Sequence, residues 1–251
     1  MSPFDLSGRW AIVTGANTGI GQAIALGLAK AGADIVGVGR SAMTDTEAEV
    51  KAAGRRFVTV KADLSISGSA ATVLSQVLTA GATPDILVNN AGIIRRADSL
   101  DFTEEDWDAV LDTNLKSVFF LCQAFAKAAI AADRPGKIIN IASMLSFQGG
   151  IRVPSYTAAK SGLAGVTKLL ANEWAARGIN VNAIAPGYVE TNNTTALRAD
   201  TERNADILKR IPAGRWARPE DIAGAAIFLA SPASDYVHGA ILPVDGGWLA
   251  R

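Results

Sequence analysis

The chain alternates short apolar segments with longer segments in which apolar residues recur every three or four positions. Short apolar segments flanked by glycine, proline or polar residues predict buried strands, and the amphipathic segments between them predict helices. We predict strands at 10–15, 33–39, 55–63, 85–92, 136–143, 179–187 and 240–247, and helices at 20–32, 45–54, 71–81, 103–132, 155–177 and 219–231.

The predicted strands are apolar throughout, which is typical of a parallel sheet covered by helices on both faces. No linker or internal repeat divides the chain. We therefore predict one α/β domain over 1–251, with a doubly wound, Rossmann-like fold and a seven-stranded parallel sheet. Residues 190–211 are polar and follow a proline-glycine turn, so we expect them to form a lid over the substrate. The alternative for this segment is an ordinary pair of surface helices.

Composition narrows the class of function. Lys plus Arg and Asp plus Glu both number 24, so the net charge is zero and indicates neither a nucleic-acid partner nor an anionic membrane. The single Cys122 excludes an internal disulfide, and the single His238 argues against a multi-histidine metal site. The sequence shows no secretory leader pattern and no apolar segment of membrane-spanning length. We expect a cytoplasmic protein that binds no metal.

The segment "TGANTGIG" follows the first predicted strand and opens a helix. Ligands of doubly wound sheets bind beyond the carboxyl ends of the strands, and helix N-termini favour phosphate. Gly15, Gly19 and Gly21 have the spacing G-x-x-x-G-x-G, which is neither the G-x-G-x-x-G fingerprint nor a P-loop. We predict a dinucleotide site here, and a tight turn without a ligand is the alternative.

Other strand ends supply further candidate contacts. Asp63 is placed to accept a hydrogen bond from an adenine amino group, unless it serves as an N-cap. The turn Asn90-Ala91-Gly92 brings backbone close to a ribose, or simply ends its strand. The second strand ends at Arg40 without the acidic residue that would bind an NAD ribose. Arg40 is suited to an NADP 2′-phosphate, or to stacking on adenine with either cofactor.

Tyr156 and Lys160 lie one helical turn apart in "PSYTAAKSG". A phenol with a pKa near ~10 needs a neighbouring cation to act in acid–base chemistry at neutral pH. Lys160 supplies that charge, and Ser143 at the end of the preceding strand can hold a carbonyl or hydroxyl against the phenol. A packed tyrosine beside a solvated lysine explains the spacing alone equally well. The serine and the glycine turn at the same edge of the sheet favour catalysis.

"TGANTGIG", "NNAG", Asn114 in "NLKS", Ser143, "YTAAK" and "APG" together resemble the short-chain dehydrogenase/reductase family over nearly the whole chain. The resemblance implies that Tyr156 is the acid/base and that Lys160 lowers its pKa and contacts the nicotinamide ribose. It implies that Ser143 orients the substrate and that Asn114 holds a proton-relay water. A local backbone hydrogen bond is the alternative for Asn114. The residues expected at the cofactor lie in the strand-end turns and the catalytic helix: Gly15, Asn17, Thr18, Gly19, Ile20, Gly21, Arg40, Asp63, Leu64, Asn90, Ala91, Gly92, Tyr156, Lys160, Pro186, Gly187, Val189 and Thr191.

Longer stretches, among them "IASMLSFQGGIRVPSYTA" and "VDGGWLAR", resemble the subgroup of 2-deoxy-D-gluconate 3-dehydrogenases and 2-dehydro-3-deoxy-D-gluconate 5-dehydrogenases. This resemblance implies a sugar-acid substrate, NAD(H) and a homotetramer, whereas Arg40 permits NADP(H). Beside Ser143 and Tyr156 we expect Gln148, Arg152 and Asn192 to bind the substrate, with Arg95 or Arg96 as an alternative carboxylate partner. Each of these is otherwise an ordinary surface side chain.

Three other functions stay open, two of them enzymatic. Within the enzyme class, the chain is alternatively a gluconate 5-dehydrogenase or a 3-oxoacyl-thioester reductase of the same family. Outside it, a non-catalytic dinucleotide-binding protein would share the fold. Such a protein is expected to lack part of the set Asn114, Ser143, Tyr156 and Lys160, and all four are present.

Overall fold

Seven parallel strands form one sheet in the computed structural model, which describes residues 2–250. The strands are β1 Trp10–Thr14, β2 Asp34–Gly39, β3 Phe57–Lys61, β4 Ile86–Asn89, β5 Gly136–Ile141, β6 Ile179–Pro186 and β7 Ile241–Val244. Their order is β3-β2-β1-β4-β5-β6-β7, and all six pairings are parallel. The predicted doubly wound sheet is confirmed, and its strand order reverses between β1 and β4, where such folds bind ligands.

Helices cover both faces of the sheet. They are α1 Gly19–Lys30, α2 Thr44–Ala52, α3 Ser69–Thr79, α4 Glu104–Leu111, α5 Ser117–Ala131, α6 Pro154–Trp174, α7 Thr195–Ala199, α8 Thr201–Arg210 and α9 Glu220–Ala230. Neighbouring residues of a strand point to opposite faces, so Ile12 packs in the cluster that contains Leu163 of α6, and Val13 packs in the cluster that contains Leu229 of α9. Burying a side chain of this size stabilises the fold by about 1.5–3 kcal/mol.

The long helix expected over 103–132 is divided. A π-helical segment, Asp112–Lys116, separates α4 from α5 and contains Asn114. A π-turn inserts one extra residue into the helix, and such insertions are frequent at functional sites. The interruption coincides with hydrogen bonds that Asn114 makes to a distant loop, described below.

Residues 190–211 form a short 3₁₀ turn, Asn192–Thr194, followed by α7 and α8. The helix predicted over 155–177 begins one residue earlier, because α6 starts at Pro154 with Val153 as its N-cap. Proline suits this first position, since its missing N–H would be unpaired there in any case. Within residues 2–250, no helix is both long enough and apolar enough to cross a bilayer.

Candidate active site

The ends of β1 and β4 are joined by hydrogen bonds of their turns. The Thr14 hydroxyl accepts from the backbone N–H groups of Asn90 and Ala91, at 3.0 and 2.9 Å. The Asn90 amide in return donates to the carbonyl oxygens of Thr14 and Gly15, at 3.0 and 3.3 Å. Sequence reasoning missed Thr14, although a hydroxyl as the last residue of an otherwise apolar strand was a readable signal.

The glycines of "TGANTGIG" are required by close packing. Gly15 has φ +67°, and a Cβ at Gly21 would overlap the Gly15 carbonyl oxygen. Gly19 also has a positive φ, +56°, and a Cβ there would lie 3.4 Å from the Thr191 methyl group. Only glycine adopts such conformations without strain. The turn therefore passes beneath Thr191, and its residue Thr18 is exposed.

The first turn of α1 is suited to a phosphate. Thr18 is its N-cap but makes no side-chain hydrogen bond to the helix, and the turn contains no acidic residue. Its backbone N–H groups are thus left to an external anion, which the helix dipole favours. Asn17 faces the end of β2, because its Oδ1 atom is 3.8 Å from where a Gly39 Cβ would be, and Ile20 packs against the core. These residues fit the pyrophosphate of a dinucleotide.

Arg40 and Asp63 lie together at the ends of β2 and β3. The Arg40 Nη1 atom is 3.8 Å from Asp63 Oδ2. Asp63 Oδ1 accepts from the Ser65 N–H at 3.0 Å and the Ser65 hydroxyl at 2.7 Å. These two hydrogen bonds, and then the Arg40 charge, lower the pKa of Asp63. Leu64 is buried beside them. The adenine contact of Asp63 stays a prediction, with one carboxylate oxygen already used within its own turn.

Asn114 is fully buried and paired with the loop after β4. Its amide donates to the Ile93 carbonyl oxygen at 2.8 Å and accepts from the Ile93 N–H at 2.8 Å. A Cβ at Gly92 would lie 3.1 Å from Asn114 Oδ1. The π-helical segment thus fixes the backbone of the "NNAG" turn. This pairing is neither the local hydrogen bond nor the water contact considered from the sequence, and the relay water stays a prediction.

Lys160 lies beneath the ring of Tyr156. Its Nζ atom is 5.6 Å from the ring centroid and donates to the Ile141 carbonyl oxygen at 2.6 Å. Only 5% of the residue is exposed, and this burial lowers the pKa of Lys160 to about 8. That Lys160 lowers the pKa of Tyr156 stays a prediction, because the influences on this phenol come from its burial, Ser143 and Arg96.

Tyr156 is only partly exposed, and this burial raises the pKa of its phenol. A hydrogen bond with the Ser143 side chain and the charge of Arg96 act in the opposite direction. The Ser143 hydroxyl oxygen also accepts from the Leu145 N–H at 3.2 Å. The structure therefore brings Ser143, Tyr156 and Lys160 together, as the sequence predicted. Burial and polar neighbours act on the pKa of the phenol in opposite directions, as is often found at catalytic groups.

The predicted substrate residues lie in three different surroundings. Arg152 is exposed, has the left-handed φ of 62°, and pairs with Asp98 at 3.4 Å. The arginine whose charge acts on Tyr156 is instead Arg96, which donates to the Asn193 carbonyl oxygen at 3.1 Å. Asn192 is exposed beside that carbonyl. Gln148 accepts hydrogen bonds from two side chains that are remote in sequence, Arg210 and Trp248.

The turn after β6 leads into residues 190–211. Pro186 ends the strand, and a Cβ at Gly187 would lie 2.7 Å from the Asp245 Cα atom, so the C-terminal segment packs directly on this turn. The Val189 carbonyl oxygen accepts from the Thr194 hydroxyl at 2.8 Å, and the Thr191 N–H donates to the same hydroxyl at 3.0 Å. These bonds hold Thr191 over the glycine turn.

Two negative findings apply to residues 2–250. No cluster of three or more His, Cys, Asp or Glu side chains is arranged to hold a metal ion there. Cys122 is completely buried, and burial raises the pKa of its thiol to about 12. A thiol in this state is not a nucleophile.

Known proteins resemble this chain over its full length. A family model described as enoyl-(acyl carrier protein) reductase, of the short-chain alcohol dehydrogenase type, matches residues 15–249. The 2-dehydro-3-deoxy-D-gluconate 5-dehydrogenase of Escherichia coli (strain K12) is 60% identical, over 100% of this chain and 99% of that protein.

Solved structures extend the likeness to three dimensions. One from Agrobacterium tumefaciens, described as a 2-deoxy-D-gluconate 3-dehydrogenase with bound NADP, is 63% identical, with a TM-score of 0.94 and 100% of both chains covered. Another, from Beutenbergia cavernae, is described as an NAD(P)-dependent gluconate 5-dehydrogenase with bound NADP at low occupancy. It is 51% identical, with a TM-score of 0.95 and 100% of both chains covered.

Proposed function

Because the chain belongs to the short-chain dehydrogenase/reductase family and is an NAD(P)-dependent oxidoreductase acting on CH–OH groups, we propose that its substrate is a deoxy sugar acid. The reaction is that of a 2-dehydro-3-deoxy-D-gluconate 5-dehydrogenase or 2-deoxy-D-gluconate 3-dehydrogenase, which interconverts a ketone and a secondary alcohol. The observation that carries the proposal is the full-length identity of 60% to an enzyme of that name. The placement of Tyr156 between Ser143 and Lys160 supports the same chemistry.

Each side chain of the site has its own part in the transfer of the proton. When bound, the nicotinamide group supplies or accepts the hydride. Tyr156 gives a proton to the carbonyl oxygen during reduction and takes it back from the alcohol during oxidation. The Lys160 ammonium stabilises the phenolate, and the Ser143 hydroxyl, whose oxygen is already engaged by the Leu145 N–H, donates to the substrate oxygen. Asn114 holds the backbone after the "NNAG" turn, which would contact the cofactor ribose, in place.

The carboxylate of the substrate requires a cation near Tyr156. Arg96 meets this requirement, since its charge acts on the phenol and it donates to the backbone at Asn193. Arg152 is further from this role than its closeness in sequence suggests, because its guanidinium pairs with Asp98. We propose Arg96 as the carboxylate partner, with Asn192 beside it for a hydroxyl group.

A panel of deoxy sugar acids, their keto forms and gluconate, followed by nicotinamide absorbance, tests the substrate. We expect turnover to be fastest with 2-dehydro-3-deoxy-D-gluconate or 2-deoxy-D-gluconate. Arg96→Lys keeps the charge but not the planar fork, so it should raise KM for the acids more than it lowers kcat. Arg95→Lys, an exposed neighbour that pairs with Asp106, is the matched control. Faster turnover of gluconate or of an acyl thioester than of any deoxy acid would refute the assignment.

The choice between NAD(H) and NADP(H) depends on Arg40. Its side chain is 68% exposed, and its nearest acid, Asp63, is 3.8 Å away, so the guanidinium can turn to a 2′-phosphate. The two related structures described above were solved with NADP. We infer that the site accepts both cofactors. Arg40→Ala should then weaken NADPH binding about 10-fold or more, as expected for a charged hydrogen bond, and leave NADH binding nearly unchanged; equal effects on both would contradict this role.

We also propose a homotetramer in the cytoplasm. Phe120 of α5 and Leu169 of α6 are 46% and 48% exposed, which supports burial of these helices against another copy. Phe120 and Ile66 also line a cavity of about 420 Å³, which none of Ser143, Tyr156 and Lys160 lines. Light scattering after size-exclusion chromatography tests the assembly, and a monomeric mass would refute it.

A further inference from the structure

Gln148 connects three parts of the molecule. It lies between Ser143 and the catalytic helix, and its Oε1 atom accepts from the Arg210 guanidinium at 3.4 Å and from the Trp248 indole N–H at 3.2 Å. Arg210 ends α8, and its guanidinium carbon lies 4.1 Å from the centroid of the Trp248 ring. The three side chains therefore form one closed group, which we call the Gln148 cluster.

The partners of Gln148 determine which way its amide faces. Indole and guanidinium groups only donate hydrogen bonds, so the atom that meets both must be the carbonyl oxygen of the amide. The NH₂ group consequently points away from Arg210 and Trp248. Among residues 2–250 it has no hydrogen-bond acceptor, and Gln148 is only partly buried. The cluster thus leaves two N–H donors for a ligand.

Trp248 is itself held rigidly. It is 4% exposed, and its ring meets the ring of Tyr188 edge to face, with centroids 4.9 Å apart. Tyr188 meets Trp216 at 5.1 Å, and the Trp216 indole N–H donates to Asn204 of α8 at 2.7 Å. The C-terminal segment and α8 are therefore joined at two separate places, through Trp216 and through Arg210.

We propose that Arg210 and Trp248 are positioning residues, which orient the Gln148 amide so that its NH₂ group donates to an oxygen of the bound sugar acid. The inference rests on the proposed function for the identity of the ligand. The NH₂ group is oriented toward the substrate only while α8 packs on Trp248. Substrate recognition is then coupled to the packing of Arg210 of α8 on Trp248.

Gln148→Glu removes the N–H donors of the side chain but keeps the oxygen that accepts from its two partners. A carboxylate still accepts from Arg210 and Trp248, so the cluster is retained, but it offers no donor and repels an acidic substrate. We expect KM for the acid to rise by about 10-fold or more, the value of a lost hydrogen bond to a charged group, with a smaller change in kcat. Cofactor affinity and thermal unfolding should stay as in the wild type. An unchanged KM would overturn the proposal.

Arg210→Met tests the positioning role without touching the amide. We expect KM to rise several-fold in the otherwise wild-type protein, and to change no further when the substitution is added to Gln148→Ala, because the two act through one hydrogen bond. Arg203→Met, exposed on the same helix, is the matched control and should leave KM unchanged. Independent, additive effects of Arg210→Met and Gln148→Ala would contradict the coupling.

The two proposals fail in different ways. A wild-type enzyme that turns over none of the sugar acids refutes the proposed function. A wild-type enzyme that is active on them, and whose KM is unaffected by Gln148→Glu, refutes the role of the Gln148 cluster alone.

Discussion

Replacing Lys160 with methionine should remove a pH-dependent cost that the buried ammonium group imposes on the fold. Lys160 is 5% exposed, its Nζ atom donates to the Ile141 carbonyl oxygen, and no carboxylate within residues 2–250 forms an ion pair with it. Burial lowers its pKa from 10.5 to about 8. The charged form is therefore disfavoured in the folded protein relative to the unfolded chain.

The sign of the effect follows from proton binding. Between about pH 8 and 10.5 the unfolded chain holds the lysine proton and the folded protein does not, so the free energy of unfolding of the wild type rises with pH. At about 1.4 kcal/mol for each pKa unit, the whole change amounts to roughly 3 kcal/mol. Most of it falls between pH 7 and 10, below the range in which Tyr156 titrates, because the pKa of that phenol is raised above 10.0.

Urea unfolding of the wild type and of Lys160→Met at several pH values from 7 to 10 measures this difference. The gap between the two free energies of unfolding should move in favour of the wild type by about 2–3 kcal/mol as the pH rises. Lys168→Met, an exposed lysine on the same helix, is the control and should run parallel to the wild type. Parallel curves for Lys160→Met would show that burial does not lower this pKa. The same variant should also lose turnover, since it removes the cation that lies against the Tyr156 ring.

Three further outcomes are expected. Tyr156→Phe should bind the cofactor normally in a fluorescence titration yet lose activity by roughly 10²–10⁴-fold, the range for removing a general acid; retained turnover would refute its role. Gly21→Ala should abolish dinucleotide binding and lower the free energy of unfolding in urea by about 1–3 kcal/mol, because its Cβ would overlap the Gly15 carbonyl oxygen. The control is Gly54→Ala, where the Cβ has open space but the backbone φ is +73°, so it should cost only the strain of that conformation. Cys122 should react with a thiol reagent only after unfolding, since its pKa is raised to about 12 and it is fully buried; rapid labelling of the folded enzyme would contradict this.

The sheet was predictable because its signals are local. Each strand is a short apolar segment with flanking turn residues, and the observed bounds differ from the predicted ones mainly at the ends, as at β4, which stops at Asn89 rather than at Gly92. The polar and glycine residues of the strand ends could be recognised for the same reason. A hydroxyl, an asparagine or a glycine after an apolar segment is visible in the sequence, and the topology of a parallel sheet brings these ends together.

The contacts that sequence reasoning missed join residues that are far apart in the chain. Gln148 is 62 residues from Arg210 and 100 residues from Trp248, and no periodicity relates them. The substrate contact of Arg152 stays a prediction. The left-handed backbone of Arg152 and its ion pair with Asp98 are tertiary features, which a local pattern does not encode.

The interrupted helix shows why the catalytic geometry is nevertheless precise. Without the family resemblance, the local pattern does not distinguish Asn114 from an ordinary helical asparagine, yet both ends of its amide bond the backbone of Ile93, beyond β4. Lys160 is held in the same manner by the carbonyl oxygen of Ile141 at the end of β5. Two buried polar side chains are thus tied to main-chain atoms, one in the loop after β4 and one at the end of β5. It follows that a core substitution which shifts α6 against β5, such as Leu163→Ala, should lower kcat as well as stability, although Leu163 lies in the buried core.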